Sequence, residues 1–134
     1  MKLGRLRIIG FVVLLLFAVQ AAQARFASPT TCTGQMAFAN DDGTSEAYAL
    51  DLRLSSDGYL ITSTNIQTGE VTRDAGDCTR YISGTCRHRI VVDGAPTGDY
   101  YSFALQPVTD VSFSYTETWK DGSVGRTVLT CRTD

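Results

Sequence analysis

The chain has 134 residues, 43% of them apolar and 19% charged, with 12 basic against 14 acidic side chains. That length suits one domain with a modest core. Three of the basic residues, Lys2, Arg5 and Arg7, open the chain; the nine that follow face all 14 acids, and this net charge of −5 argues against a nucleic-acid partner, whose phosphates need a basic face.

The first 24 residues read as a leader. A basic head, "MKLGRLR", precedes the apolar run "IIGFVVLLLFAV" and the small-residue end Ala22-Gln23-Ala24. This order predicts a secretory signal peptide over residues 1–24, cleaved after Ala24. A membrane-spanning helix needs about 20 apolar residues, more than the run supplies. Cys32 follows Pro29-Thr30-Thr31 and lacks the small-residue box of a lipidated cysteine. The expected product, residues 25–134, is periplasmic or secreted and free of the membrane. Residues 25–31 read as a flexible N-terminal tail and 32–134 as a single all-β domain.

Beyond the leader, apolar residues alternate with polar ones and no long helical period appears. Strands are expected at "CTGQMAFA" (32–39), "YALDLRL" (48–54), "YLITSTNI" (59–66), a short "VTR" (71–73), "RIVV" (89–92), "YYSFAL" (100–105), "VSFSYTETW" (111–119) and "VGRTVLTCR" (124–132). Tyr48, Leu50, Leu52 and Leu54 share one face, as do Val111, Phe113, Tyr115 and Trp119. The stretches "NDDG", "SSDG", "QTGE", "DGAPTG" and "KDGS" carry the Asx, Gly and Pro residues that turns require. For the last hairpin an Asp121-Gly122 turn pairs Trp119 with Val124, Glu117 with Arg126, Tyr115 with Val128 and Phe113 with Thr130, which sets aromatic against β-branched residues and the acid against a base. For "SSDG" a three-residue loop, Ser56 to Gly58, sets Leu54 against Leu60 and Tyr48 against Ile66. About eight strands joined by hairpins give an antiparallel meander, a small barrel or alternatively a sandwich.

An even set of four cysteines in a small exported chain reads as a disulfide framework. Three connectivities are possible. If the first and last strands are antiparallel neighbours, Cys32 meets Cys131 and leaves Cys78 for Cys86 around a Ser83-Gly84 turn. Zinc on Cys78, Cys86 and His88 is the rival, but the cysteines are more widely spaced than in the usual C-x2-4-C pair and a fourth ligand would have to be Cys32 or Cys131. No metal or cofactor is expected.

Catalytic signatures are sparse. His88 is the single histidine, no Gly-x-Ser-x-Gly elbow is present, and the acidic stretch "DDGTSE" lacks EF-hand spacing. The chain therefore reads as a non-enzyme. The candidate binding residues are Arg80, Arg87, His88 and Arg89 of "DCTRYISGTCRHRI". Arg87 and Arg89 fall on one strand face, suited to forked contacts with an anion, and His88 on the other. The competing expectation is that Asp74, Asp77 and Asp93 neutralise these arginines as surface pairs. Tyr100 and Tyr101 point to opposite faces, so one of them points outward.

With Cys32 and Cys131 at the two ends of the domain and "WKDGS" before the last strand, the chain resembles the small periplasmic inhibitors of C-type lysozyme. Those are eight-stranded barrels tied from first strand to last, with an inhibitory loop that carries Ser and Gly ahead of a Tyr. "SSDGY", Ser55 to Tyr59, is similar in composition and departs in order, and the Cys78–Cys86 segment has no counterpart there. The resemblance implies a barrel that plugs an enzyme. The functional expectation is an exported, non-catalytic, protein-binding or inhibitor-like module, a monomer with a protein partner, possibly a basic one. A small-ligand-binding barrel is the alternative and a small hydrolase the third reading.

Overall fold

The computed structural model describes residues 26, 28–40 and 42–134; the expected leader and its cleavage point lie outside them. Eight strands follow in order: β1 (Thr30–Ala39), β2 (Ser45–Ser55), β3 (Gly58–Asn65), β4 (Val71–Gly76), β5 (Cys86–Val92), β6 (Ala95–Pro107), β7 (Ser112–Trp119) and β8 (Val124–Thr133). They form one antiparallel sheet in the order β4-β3-β2-β1-β8-β7-β6-β5, curled into a nearly closed barrel. The eight-stranded meander and its barrel form are as the alternation predicts.

The first and last strands pair, Cys32 directly opposite Cys131, and that pair is bridged. Cys78 and Cys86 form the second bridge, so the nested connectivity holds. The ends are tied further. Thr31 Oγ1 donates to both carboxylate oxygens of Asp134 at 2.7 and 2.9 Å, and the Asp134 amide donates to Pro29 O. Thr30 and Thr31, placed in the tail by the sequence, open β1 and are buried. Phe26 rests its ring 5.4 Å from Phe113 and 5.9 Å from Tyr81.

Both predicted hairpin registers are off by one. In the last hairpin Thr118 faces Val124, Glu117 faces Gly125 and Phe113 faces Leu129. The loop has three residues, Lys120 to Gly122, closed by Trp119 N to Ser123 O, with Gly122 at φ 92°. Glu117 thereby joins Phe113 and Tyr115 on the buried face, and Arg126 is exposed opposite Thr116. Val111 lies before the strand and is exposed. In the β2–β3 hairpin the loop is the two residues Ser56-Asp57, Ser55 pairs Gly58, and Leu54 and Leu52 face Tyr59 and Ile61. Leu60 points outward and Ile66 is exposed. The inward parity of β3 decides this, because it buries Tyr59 and Ile61 together.

The strands curl around a filled core. Leu52, Leu54, Ile61, Phe103, Leu105, Tyr101, Tyr115 and Leu129 are buried inside. The joint that fails to close lies between β4 and β5. Every other consecutive pair is linked by a short turn that fixes register, whereas β4 and β5 are separated by residues 77–85. The Cys78–Cys86 bridge folds this segment back, and it docks on β6 instead of forming a ladder. Leu105 N donates to Tyr81 O at 2.6 Å, Ile82 bridges Leu105, and the buried Tyr81 hydroxyl donates to Ser55 O.

Candidate functional site

The facing edges of β4 and β5 form a seam without a backbone ladder, and the predicted binding residues lie along it. The structure separates them. Arg87 and Arg89 sit on the outer face of β5 and are exposed, His88 turns into the barrel, and Arg80 is exposed in the stapled loop. The expected division of Arg87 and Arg89 from His88 is therefore met. So is the division of the tyrosines: Tyr101 is buried, and Tyr100 lies outside with the Arg87 guanidinium 4.4 Å above its ring.

The expected neutralisation by acids is not found. Asp74 turns inward to His88, and that is the only ion pair among the described residues. Asp77 and Asp93 pair with no arginine there. The sequence missed Arg73, an exposed residue on the outer face of β4, the strand that borders the seam opposite β5. Its strand was read as three residues and runs to six, because Asp74 and Gly76 continue the inward parity.

The inner side of the seam is closed by side chains. Tyr59 Oη lies 2.7 Å from His88 Nδ1, His88 Nε2 lies 3.4 Å from Asp74 Oδ1, and the Tyr101 hydroxyl donates to Asp74 Oδ2 at 2.7 Å. The chain of contacts runs β3, β5, β4, β6 and so crosses the seam three times. A neutral imidazole fits it when the Tyr59 hydroxyl donates to Nδ1 and Nε2–H points to Asp74; a cationic ring fits when Nδ1–H donates to the tyrosine oxygen. Gly76 makes the crossing possible, since a Cβ there would stand 2.5 Å from Tyr59 Oη.

Next to this latch is Glu117, also buried. Tyr115 Oη and Trp119 Nε1 each donate to it at 2.6 Å. Burial raises its pKa above the usual 4.5; the two hydrogen bonds oppose the rise and the nearby Asp74 charge adds to it. Burial, with Asp74 second, likewise raises the Tyr59 and Tyr101 phenols. All the polar side-chain atoms buried among the described residues have hydrogen-bond partners. The sequence signal for Glu117 was its parity with Phe113, Tyr115 and Trp119, which a paired base on the next strand obscured.

Beyond the seam the β5–β6 hairpin projects as an arm. The predicted "DGAPTG" turn narrows to Asp93-Gly94, and the strands continue, Val92 opposite Ala95 and Val91 opposite Pro96, past a register shift after Arg89. Residues 91–99 are all exposed, Val91 at 54% and Val92 at 57%. The arm is nonetheless ordered. Thr97 Oγ1 donates to Ile90 O, and from the β7–β8 turn Lys120 Nζ donates to Gly98 O and Lys120 N to Tyr100 O, both at 3.0 Å.

The loop that resembles an inhibitory loop is arranged differently from a presented tyrosine. Tyr59 is only 6% exposed and committed to His88. A separate open cleft of about 460 Å³ lies at the rim beside this turn, lined by Arg53, Tyr59, Gly76 and Asp134 among others. No protein-family model, curated protein or solved structure matches the chain.

Proposed function

We propose that the protein is exported, loses residues 1–24 after Ala24, and works as a non-catalytic protein-binding module that contacts its partner through the β5–β6 arm. Two disulfides in a chain of this size belong to an oxidising, extracytoplasmic compartment, and the basic-apolar-small order of the leader supports the route there. The arm carries the reading. It exposes Val91, Val92, Ala95 and Pro96 together on a hairpin held in place by Thr97 and Lys120. A pre-ordered apolar projection loses little conformational entropy on docking, and it has the shape of an element that enters a partner's cleft, as an inhibitor does. The barrel interior supports binding over catalysis or ligand storage. Side chains pack it; Tyr59, His88, Asp74 and Tyr101 bond to one another, Glu117 accepts from Tyr115 and Trp119, and Tyr81 donates to Ser55 O.

The test is capture from the organism's own periplasmic or culture-fluid fraction by the mature protein, whose mass should begin at Arg25. Wild type should retain a partner, and the Val91→Ser/Val92→Ser double variant should retain at least tenfold less of it, about 1.4 kcal/mol. Equal retention by the variant would remove the arm from the contact.

A further inference from the structure

Net charge and local charge disagree in this molecule. The mature chain is acidic, yet the outward positions of β3 to β6 within the barrel hold three arginines and no carboxylate. Arg73 stands on one lip of the seam, Arg87 and Arg89 on the other. The side chains of Arg73 and Arg89 have no hydrogen-bond, ionic or aromatic partner among the described residues, and that of Arg87 has only the Tyr100 ring. The nearest acid in sequence, Asp74, is withdrawn to the inner side by His88 and Tyr101. The fold has thus placed three guanidiniums on one face and drawn Asp74 away from it, while the exposed Asp77, Asp93 and Asp99 lie outside the outward strand positions of this face.

We infer that this face takes an extended, acidic segment of a protein partner, laid along the seam beside the arm. The inference rests on the protein-binding reading and names the chemistry of the partner. Arg87 and Arg89 are two residues apart on a strand, so their Cα atoms repeat at about 6.6–6.8 Å. Carboxylates at alternate positions of an extended segment repeat at the same interval, so two of them meet the two guanidiniums in register and a third can meet Arg73 from the opposite lip. Each pairing can be forked, a geometry open to arginine and closed to lysine. A single small anion fits less well, because the three side chains follow strand pitch on two separate strands and form no common cradle. A sulfated polysaccharide would satisfy the arginines, but it offers nothing to Val91 and Val92 beside them, whereas a polypeptide offers both charge and apolar contact.

The test uses the whole mature protein and defined probes. A capped decapeptide of alternating Glu and Thr, its Gln-for-Glu counterpart and a heparin oligosaccharide are titrated by calorimetry or anisotropy at about 0.01 M salt, where the Debye length is about 30 Å. The Glu peptide should bind and the Gln peptide should not. The Arg73→Gln/Arg87→Gln/Arg89→Gln variant should lose at least tenfold in affinity. A control, Arg126→Gln/Arg132→Gln on β8, changes two exposed basic residues away from the seam and should stay within twofold of wild type. Failure of the Glu peptide to bind, binding undiminished in the seam variant, or binding of heparin alone would each overturn the inference. None of these results touches the arm, whose own variant is read out by partner capture, so the two proposals fail separately.

Discussion

Glu117 is the one carboxyl side chain buried in the core among the described residues. A carboxylate buried beside Asp74 is penalised by lost hydration and by a like charge, and it is partly compensated by Tyr115 and Trp119. An acid whose folded pKa lies above its unfolded value holds its proton more tightly in the fold. The resulting stability is complete below the unfolded value, near 4.5, and is lost as pH rises through the folded value. Asp42 and Asp121 act in the opposite sense. Their pKa values are lowered by hydrogen bonds from Thr44 and Ser123, so any contribution from them disappears only at pH below 3.8. Urea unfolding of the wild type should therefore show stability falling as pH rises above 4.5. Glu117→Gln, which keeps the shape and removes the titration, should flatten that slope. An unchanged slope in the variant would show that Glu117 does not titrate in this range.

At the scale of the element, the lesson is about what fixes register. The existence and order of all eight strands were legible because alternation is strong in β2 and β7 and turn residues bound the weaker strands between them. The cysteine pairing was legible because the first and last strands must meet in a barrel. Neither hairpin register was, although the reason for each lay in the sequence. In the last hairpin a surface pairing of Glu117 with Arg126, worth about 0–1 kcal/mol, was weighed above inward parity, which buries Phe113, Tyr115 and Leu129 at about 1.5–3 kcal/mol each. Gly125 confirms the choice the chain makes. It lies opposite Glu117, and a Cβ there would stand 2.5 Å from Met36 Sδ and from Phe38 Cζ. Gly125→Ala should therefore overpack the barrel by about 1–3 kcal/mol and lower Tm by roughly 10 °C, as read by calorimetry. A variant as stable as wild type would mean that Met36 and Phe38 yield freely. The seam was the least legible part. Its latch joins Tyr59, Asp74, His88 and Tyr101 from four strands, and its outer face adds Arg73 to residues 14 and 16 positions further along. No local pattern announces contacts that depend on how the sheet curls.

At the scale of the whole molecule, the barrel consists of two four-stranded meanders, β1–β4 and β5–β8, joined by backbone on one side and by side chains on the other. The backbone joint is the β1·β8 ladder, Thr30–Thr33 against Thr130–Thr133, with the Cys32–Cys131 bridge across it. The other joint is the seam, where His88 and Asp74 retain 14% and 18% side-chain exposure and no ladder forms. The two joints therefore differ in what opens them. Asp74→Ala removes the acceptor shared by His88 and Tyr101 and leaves the buried Tyr101 hydroxyl without its partner, a local loss of about 1–3 kcal/mol. Amides of β4 bonded to β3, and of β5 bonded to β6, should then exchange with solvent at least tenfold faster, because edge strands released at the seam fray from their remaining neighbours. Amides in the β1·β8 ladder, which report the joint held by backbone and disulfide, should change less than threefold. Asp121→Ala, at an exposed turn, serves as the control and should leave the seam amides as in wild type. Equal acceleration at both joints would mean that the barrel opens only as a unit, and unchanged seam amides would mean that the side-chain chain does not hold it closed.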